Sequence, residues 1–315
     1  MAGLLNLLAI PASLFYKTAA WIQRSLRARN PVAPGNIFVI SVDGIAFGGS
    51  GKTPMVIRVG AELNRMKIPF AVITRGYGSR LERLGGRLDP QRHGPGDAGD
   101  EACLIQRHLP DTPIWVGRSR VASLRAAARE GIPVAILDDG FQSTHIRRAL
   151  KIMLDDPDRH WSRLRQFPRL MREADLCLVK AGARRPPRVP AHATYSFRIT
   201  GFFNTHGDAL DIGREPIFGF SALGDNHRFK GDLAAYNLRG FRPFPDHHPF
   251  SAADLHELEN RRRSAGARFL VCTEKDFIKA APAAAAGTPL LYAANGVQLN
   301  MDLGNYLWQH VPKQP

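Results

Sequence analysis

The chain has 315 residues, 44% of them hydrophobic and 23% charged, a composition that excludes wholesale disorder and a polytopic membrane protein. Forty-three Lys and Arg against 28 Asp and Glu leave a net charge of +15, which points to an anionic partner: nucleic acid, an anionic membrane face or a phosphorylated substrate. Three cysteines, Cys103, Cys177 and Cys272, lie far apart with no metal-ligand spacing. Neither a disulfide framework nor structural zinc is expected, and Cys177 and Cys272 read as buried strand residues.

The apolar stretch 3–16 is too short to span a bilayer and carries Pro11. It lacks the basic start and small-residue end of a signal peptide. Residues 11–29 predict an amphipathic helix, with Phe15, Ala19, Ile22 and Leu26 at helical spacing, Lys17, Arg24 and Arg27 on another face, and Trp21 nearby. That pattern suits a helix lying in a membrane interface, or one packed on its own domain. From residue 36 the pattern becomes α/β. Residues 37–42 are a continuous apolar run, as for a strand buried on both faces. A glycine-rich loop follows, then a helix over 53–66 and a strand over 70–74. Residues 75–99 read mostly as loop. Helices are predicted over 100–108 and 118–130, and short strands over 133–137, 151–154 and 175–179. This alternation predicts a doubly wound, mostly parallel sheet with helices on both faces.

A basic, proline-rich connection (Arg184, Arg185, Pro186, Pro187, Pro190) follows. Residues 194–200 and 209–212 flank Asn204-Thr205-His206-Gly207 and read as a β-hairpin. A second, smaller α/β stretch comes next, with strands at 217–220 and 268–272, a helix near 254–265, and a loop or weak helix at 280–287. The expected organisation is an N-terminal membrane-associating helix (1–30), a core (31–192), a hairpin linker (193–216) and a C-terminal α/β lobe (217–315).

The strongest motif is Ala46-Phe47-Gly48-Gly49-Ser50-Gly51-Lys52-Thr53, between a strand and a helix, the context of a nucleotide-binding P-loop. Its glycines let backbone N–H groups wrap phosphate oxygens at a helix N-terminus. Lys52 can reach the β- and γ-phosphates of ATP, and the Thr53 hydroxyl can hold Mg²⁺. Asp138-Asp139-Gly140 follows the strand at 133–137. It reads as an ordinary turn, or as carboxylates that organise Mg²⁺ beside the loop. Three clusters are individually weak: Thr74-Arg75-Gly76-Tyr77-Gly78; Gly99-Asp100-Glu101, where Asp100 fits a helix N-cap; and Asp246-His247-His248, which fits an exposed loop better than a metal site.

Taken in order, GGSGKTP, TRGYG, GDE, LDDGFQ, PDHHP and TEKD (residues 273–276) resemble the tetraacyldisaccharide 4′-kinases of lipid A biosynthesis, from the N-terminal apolar segment to about residue 280. The resemblance implies a P-loop core with a smaller lobe and a two-stranded linker. It also implies MgATP as phosphoryl donor to the 4′-hydroxyl of a tetraacylated glucosamine disaccharide 1-phosphate, at the cytoplasmic face of the inner membrane. It places Asp100 as general base, His247 as its assistant, Lys52 with Asp139 at the transferring phosphate, and Asp138 with Thr53 at the metal. A peripheral monomer that binds an acylated disaccharide phosphate and anionic membrane, and no nucleic acid, is the expectation.

The sequence departs from the family in two places. Asp43-Gly44 stands where Gly-Asn is usual, and the LPAGPLRE-like segment is reduced to Phe167-Pro168-Arg169-Leu170-Met171-Arg172-Glu173. That segment helps shape the acceptor side, so a kinase of another glycolipid is one alternative. A P-loop switch protein at the membrane is a second. A nucleic-acid-dependent ATPase is favoured only by the net charge, since no RNA-binding signature or helicase-type second motif is present.

Overall fold

The computed structural model describes residues 35–44, 51–140, 146–159 and 168–312, with Val32, Ala46 and Leu164 besides. The amphipathic segment 11–29 lies outside the described residues, as do Phe47, Gly48, Gly49 and Ser50. The chain divides into two compact units, Met1–Ser196 with Leu299–Pro315, and Phe197–Gln298.

The first unit is built on apolar strands. β1 (Phe38–Gly44), β2 (Phe70–Thr74) and β5 (Val134–Asp138) are buried along nearly their whole length, as parallel strands covered on both faces must be. With β4 (Ile114–Val116), β6 (Leu150–Asp155), β7 (Leu176–Lys180) and the start of β8 (Ala193–Phe203) they pair parallel in the order β8-β7-β6-β1-β5-β2-β4. A two-residue strand, β3 (Gly86–Arg87), pairs antiparallel with β4 at the edge. The chain leaves β1 through α1 (Lys52–Arg65) and enters β2, yet β5 sits between β1 and β2. The residues that end β5 therefore stand beside the turn that leaves β1.

α1 buries Met55, Val56, Val59 and Leu63. On another face of the unit, Val39, Ile73 and Leu137 meet Leu124 and Ala127 of α5 (Arg120–Arg129). That helix starts two residues later than the pattern suggests, because Ser119 is its N-cap and accepts the Ala122 N–H at 3.3 Å. The expected loop 75–99 contains α2 (Arg80–Leu84), capped by Ser79, and the one-turn α3 (Pro95–Ala98) as well as β3. The Gly and Pro residues there serve as helix ends as well as turns. α4 (Asp100–His108) follows directly.

The second unit orders its strands β11-β10-β12-β13-β8, from β10 (Ile217–Ser221), β11 (Leu238–Pro243), β12 (Phe269–Thr273) and β13 (Leu290–Leu299). β10 pairs parallel with β11 and β12, and β12 with β13. β9 (Ala209–Leu210) returns antiparallel onto β8. α6 (Asn226–Leu233), α7 (Ala252–Ser264) and α8 (Glu274–Ala280) complete it, and residues Ala281–Ala283 form a 3₁₀ turn. Cys177 and Cys272 are buried in β7 and β12 as expected.

The expected lobe 217–315 needs correction at both ends. The second unit begins within β8 and stops at Gln298. The last helix, α9 (Leu303–His310), belongs to the first unit. Gly304 approaches α1 so closely that a Cβ there would meet the Arg65 and Glu62 side chains at 2.4 and 2.8 Å. The Tyr306 hydroxyl donates to the Asp175 carbonyl at 3.1 Å. Among the described residues no helix is long and apolar enough to cross a membrane.

Candidate active site

Functional side chains gather where β1, β2 and β5 end. Gly51, at φ 78° and ψ 18°, turns the chain from the glycine-rich loop into α1. Only glycine takes that left-handed conformation without cost. Gly51 supplies no side-chain cap, and the first turn of α1 carries no acidic residue. The positive end of the helix is therefore not offset by a side chain of its own first turn, whose first residues are Lys52 and Thr53.

In register, Val42 of β1 pairs with Asp138 of β5, and the Asp139 N–H donates to the Val42 carbonyl at 3.1 Å. Asp139 has φ 54°, in the left-handed region that aspartate adopts more readily than most side-chain-bearing residues. Its Oδ1 lies 4.0 Å from Lys52 Nζ, both side chains being largely buried. Asp138 is 3% exposed. Its Oδ2 accepts the Thr74 hydroxyl at 3.1 Å, while its Oδ1 has no hydrogen-bond partner among the described residues. Burial, and next the charge of Glu101, push its pKa up, with Lys52 opposing. A buried carboxylate with an orphaned oxygen costs stability unless something else fills that valence.

Two weak motifs meet through their glycines. Gly76 has φ 62° and Gly99 φ 92°. A Cβ on Gly99 would stand 3.1 Å from the Gly76 Cα, so Thr74-Arg75-Gly76-Tyr77-Gly78 docks on the start of α4. Gly99, not Asp100, is the N-cap, which corrects the capping alternative for Asp100. Asp100 is the first helical residue, next to the Glu101 whose charge reaches Asp138. Arg75 holds Glu82 at 2.5 Å, and the Gly78 N–H donates to the same carboxylate at 2.8 Å.

Sequence reasoning missed Arg120, at the start of α5. Its guanidinium is mostly buried, which lowers its pKa, and the charges of Asp139 and then Asp138 act against that lowering. The missing signal is β4, three residues long and invisible to periodicity, which delivers Arg120 to this edge of the sheet.

His247 lies in the second unit. It is half-exposed, has φ 62°, and donates its N–H to the Ala222 carbonyl at 3.3 Å. Its neighbour His248 turns away: Nε2 is 3.1 Å from Asp254 Oδ2, and the ring packs on Phe244 and Phe250. The two histidines thus do not share a ligand. Among the described residues no group of three His, Cys, Asp or Glu side chains is arranged to hold a metal.

Acidic and basic side chains converging on the carboxyl ends of parallel strands define an α/β enzyme that works at the carboxyl ends of its strands. A family model for tetraacyldisaccharide-1-P 4′-kinase (LpxK) matches residues 5–311, and the chain belongs to that family. Tetraacyldisaccharide 4′-kinase of Nitrobacter winogradskyi is 33% identical over 296 residues, 88% of this chain and 84% of that protein. Its counterpart in Bradyrhizobium sp. (strain ORS 278) is 32% identical over 284 residues, 85% and 82% of the two chains. The crystal structure of LpxK from Aquifex aeolicus in complex with ATP shares the fold, with a TM-score of 0.76 over 96% of this chain and 98% of that one at 23% identity.

Proposed function

We propose that this protein transfers the γ-phosphoryl group of ATP to the 4′-hydroxyl of a tetraacylated glucosamine disaccharide 1-phosphate, at the cytoplasmic face of the inner membrane. The observation that carries the reading is the meeting of Lys52, Asp138 and Asp139 at the ends of β1 and β5 in a chain of this family. Residues 46–53 form the phosphate-binding loop, with Gly48, Gly49, Ser50 and Gly51 giving backbone N–H groups to phosphate oxygens. Lys52 neutralises charge on the transferring phosphoryl group, and Asp139, 4.0 Å away, holds the ammonium in place. Arg120 adds a second, largely desolvated cation on the same side of the sheet.

The residues fit Mg²⁺. Asp138 offers a buried carboxylate oxygen with no hydrogen-bond partner among the described residues, and Thr53, the second residue of α1, offers its hydroxyl. Mg²⁺ held with ATP takes one or two protein oxygens and fills its shell with phosphate and water, so no three-carboxylate cage is needed. Bound there, it would offset charge on the phosphate oxygens. Asp100 accepts the proton of the acceptor hydroxyl, a weak nucleophile until that proton is removed, and His247 has the assisting role. The basic, amphipathic segment 11–29 supports approach to an anionic bilayer.

The test is acceptor-dependent turnover. Purified protein with γ-labelled ATP and the tetraacyl disaccharide 1-phosphate should yield labelled lipid phosphorylated at the 4′ position. A nucleotide switch would instead hydrolyse ATP slowly and indifferently to acceptor.

A further inference from the structure

Thr273-Glu274-Lys275-Asp276 has no part in the reaction as described. Thr273 caps α8, its Oγ1 accepting the Asp276 N–H at 3.1 Å. In a capping box the acidic residue at the third helical position accepts the N-cap N–H in return. Asp254 does this in α7, taking the Ser251 N–H at 2.8 Å. Asp276 reaches off its own helix instead. Its Oδ2 accepts the Ala222 N–H at 3.0 Å and the Thr273 hydroxyl at 2.7 Å. The residue is wholly buried, so these bonds are made without competition from water.

Ala222 is the same residue whose carbonyl accepts the His247 N–H at 3.3 Å. One peptide unit on either side of the Ala222 Cα thus links a buried carboxylate to the histidine. His247 stands at φ 62°, in the left-handed region that few non-glycine residues adopt. Asn226 supplies a parallel tie. Its Oδ1 accepts the Leu223 N–H at 3.0 Å and its Nδ2 donates to the Phe244 carbonyl at 2.9 Å. The turn at 221–223 and the loop at 244–250 are therefore stapled together, and Asp276 holds the turn through the Ala222 N–H.

We propose that Asp276 is a positioning residue for His247, holding the Ala222 peptide groups that fix the histidine's backbone in the left-handed conformation its role requires. This rests on the role assigned to His247 above. The alternative is that Asp276 only stabilises α8 and β10.

The experiment compares kcat and KM for ATP in the full chain and in Asp276→Ala, Asp276→Asn, His247→Ala and Asp276→Ala/His247→Ala, with acceptor saturating. A misplaced group costs rate rather than nucleotide affinity, so Asp276→Ala should lower kcat by about 10- to 100-fold while KM for ATP moves less than about 3-fold. Asn keeps an oxygen for the Ala222 N–H and should recover most of the rate. In the His247→Ala background, Asp276→Ala should cost less than about 2-fold more. A loss that multiplies fully in the double variant, or a fall that Asn does not relieve, overturns the proposal. Full activity in His247→Ala overturns the histidine's assignment, and this proposal with it, whereas a normal His247→Ala loss beside a multiplicative double variant overturns only the positioning role. If Asp276→Ala does not fold, Thr273→Val removes one of the two bonds on the same oxygen. It should lower kcat by about 3- to 10-fold in the wild-type background and not in His247→Ala. An equal loss in both backgrounds refutes the coupling.

Discussion

Replacing Gly76 by alanine tests whether the second-strand motif and the start of α4 form one built unit. A Cβ at Gly76 would meet Val116 Cγ1 at 2.4 Å, the Ala98 carbonyl oxygen at 2.6 Å and Ser79 Oγ at 2.8 Å. Two of these belong to elements that hold the Asp100 helix in place, Ala98 ending α3 and Val116 ending β4. The left-handed φ of 62° adds a backbone cost of about 1–2 kcal/mol for any side chain. Forcing a methyl into the packed site adds about 1–3 kcal/mol. The sum, about 2–5 kcal/mol, is a large part of a domain's stability. Gly78 is an internal control: its φ is 76°, but a Cβ there meets nothing within 4 Å, leaving only the backbone cost of about 1–2 kcal/mol. Urea unfolding of both variants separates the two contributions. Gly76→Ala should also lower kcat in native buffer, since relief of the clash moves Gly99 and Asp100. If Gly76→Ala is no more destabilising than Gly78→Ala, the packing argument fails.

Lys52→Ala should cost about 10²-fold or more in rate; near-normal turnover would place the phosphate site elsewhere. Asp100→Asn should lower turnover by about 10²–10⁴-fold while ATP binding, measured by calorimetry, is largely kept. Hydrogen bonds from Ser251 hold Asp254 at a pKa of about 2, and Arg262 holds Glu259 at about 2. Both folded values lie below the unfolded ones, 3.8 and 4.5, so the unfolded chain binds more protons as the pH falls. Their stabilisation is therefore complete above about pH 4.5 and lost on descending to about pH 2. Acid titration of chemical stability should show that slope, and Asp254→Asn with Glu259→Gln should flatten it. Deleting residues 1–29 should reduce activity on bilayer-presented acceptor far more than ATP binding, and liposome association should weaken with salt; unchanged sedimentation with anionic vesicles would refute anchoring by this segment.

Local pattern carried much of this architecture. The apolar runs of β1, β2 and β5 announce strands buried on both faces, and Gly51-Lys52-Thr53 after β1 announces its turn. Elements whose evidence is tertiary stayed hidden. Ile114-Trp115-Val116 is too short to show a period. β11 is a half-exposed edge strand interrupted by Gly240. α9 closes the first unit from beyond the second, and linear order alone assigned it to the wrong neighbour. The candidate site divides in the same way. Lys52, Asp138 and Asp139 were legible because their spacing from strand ends is local. Arg120 was not, because nothing around it in sequence marks an arginine that becomes buried beside two carboxylates. Gly76 and Gly99 look like ordinary turn glycines until their backbones are seen to touch. Asp276 looks like an ordinary helix-capping acid until its bond to Ala222 is seen.

The most direct measurement is regiochemical. The purified chain is incubated with ATP, Mg²⁺ and tetraacyl disaccharide 1-phosphate, and the lipid product is analysed by mass spectrometry and phosphorus NMR. The account predicts a bisphosphorylated lipid with the new phosphate on the 4′ oxygen, formed by the wild-type chain and not by Lys52→Ala. ATP turnover that is independent of the lipid, or phosphate at another position of the sugar, would contradict it.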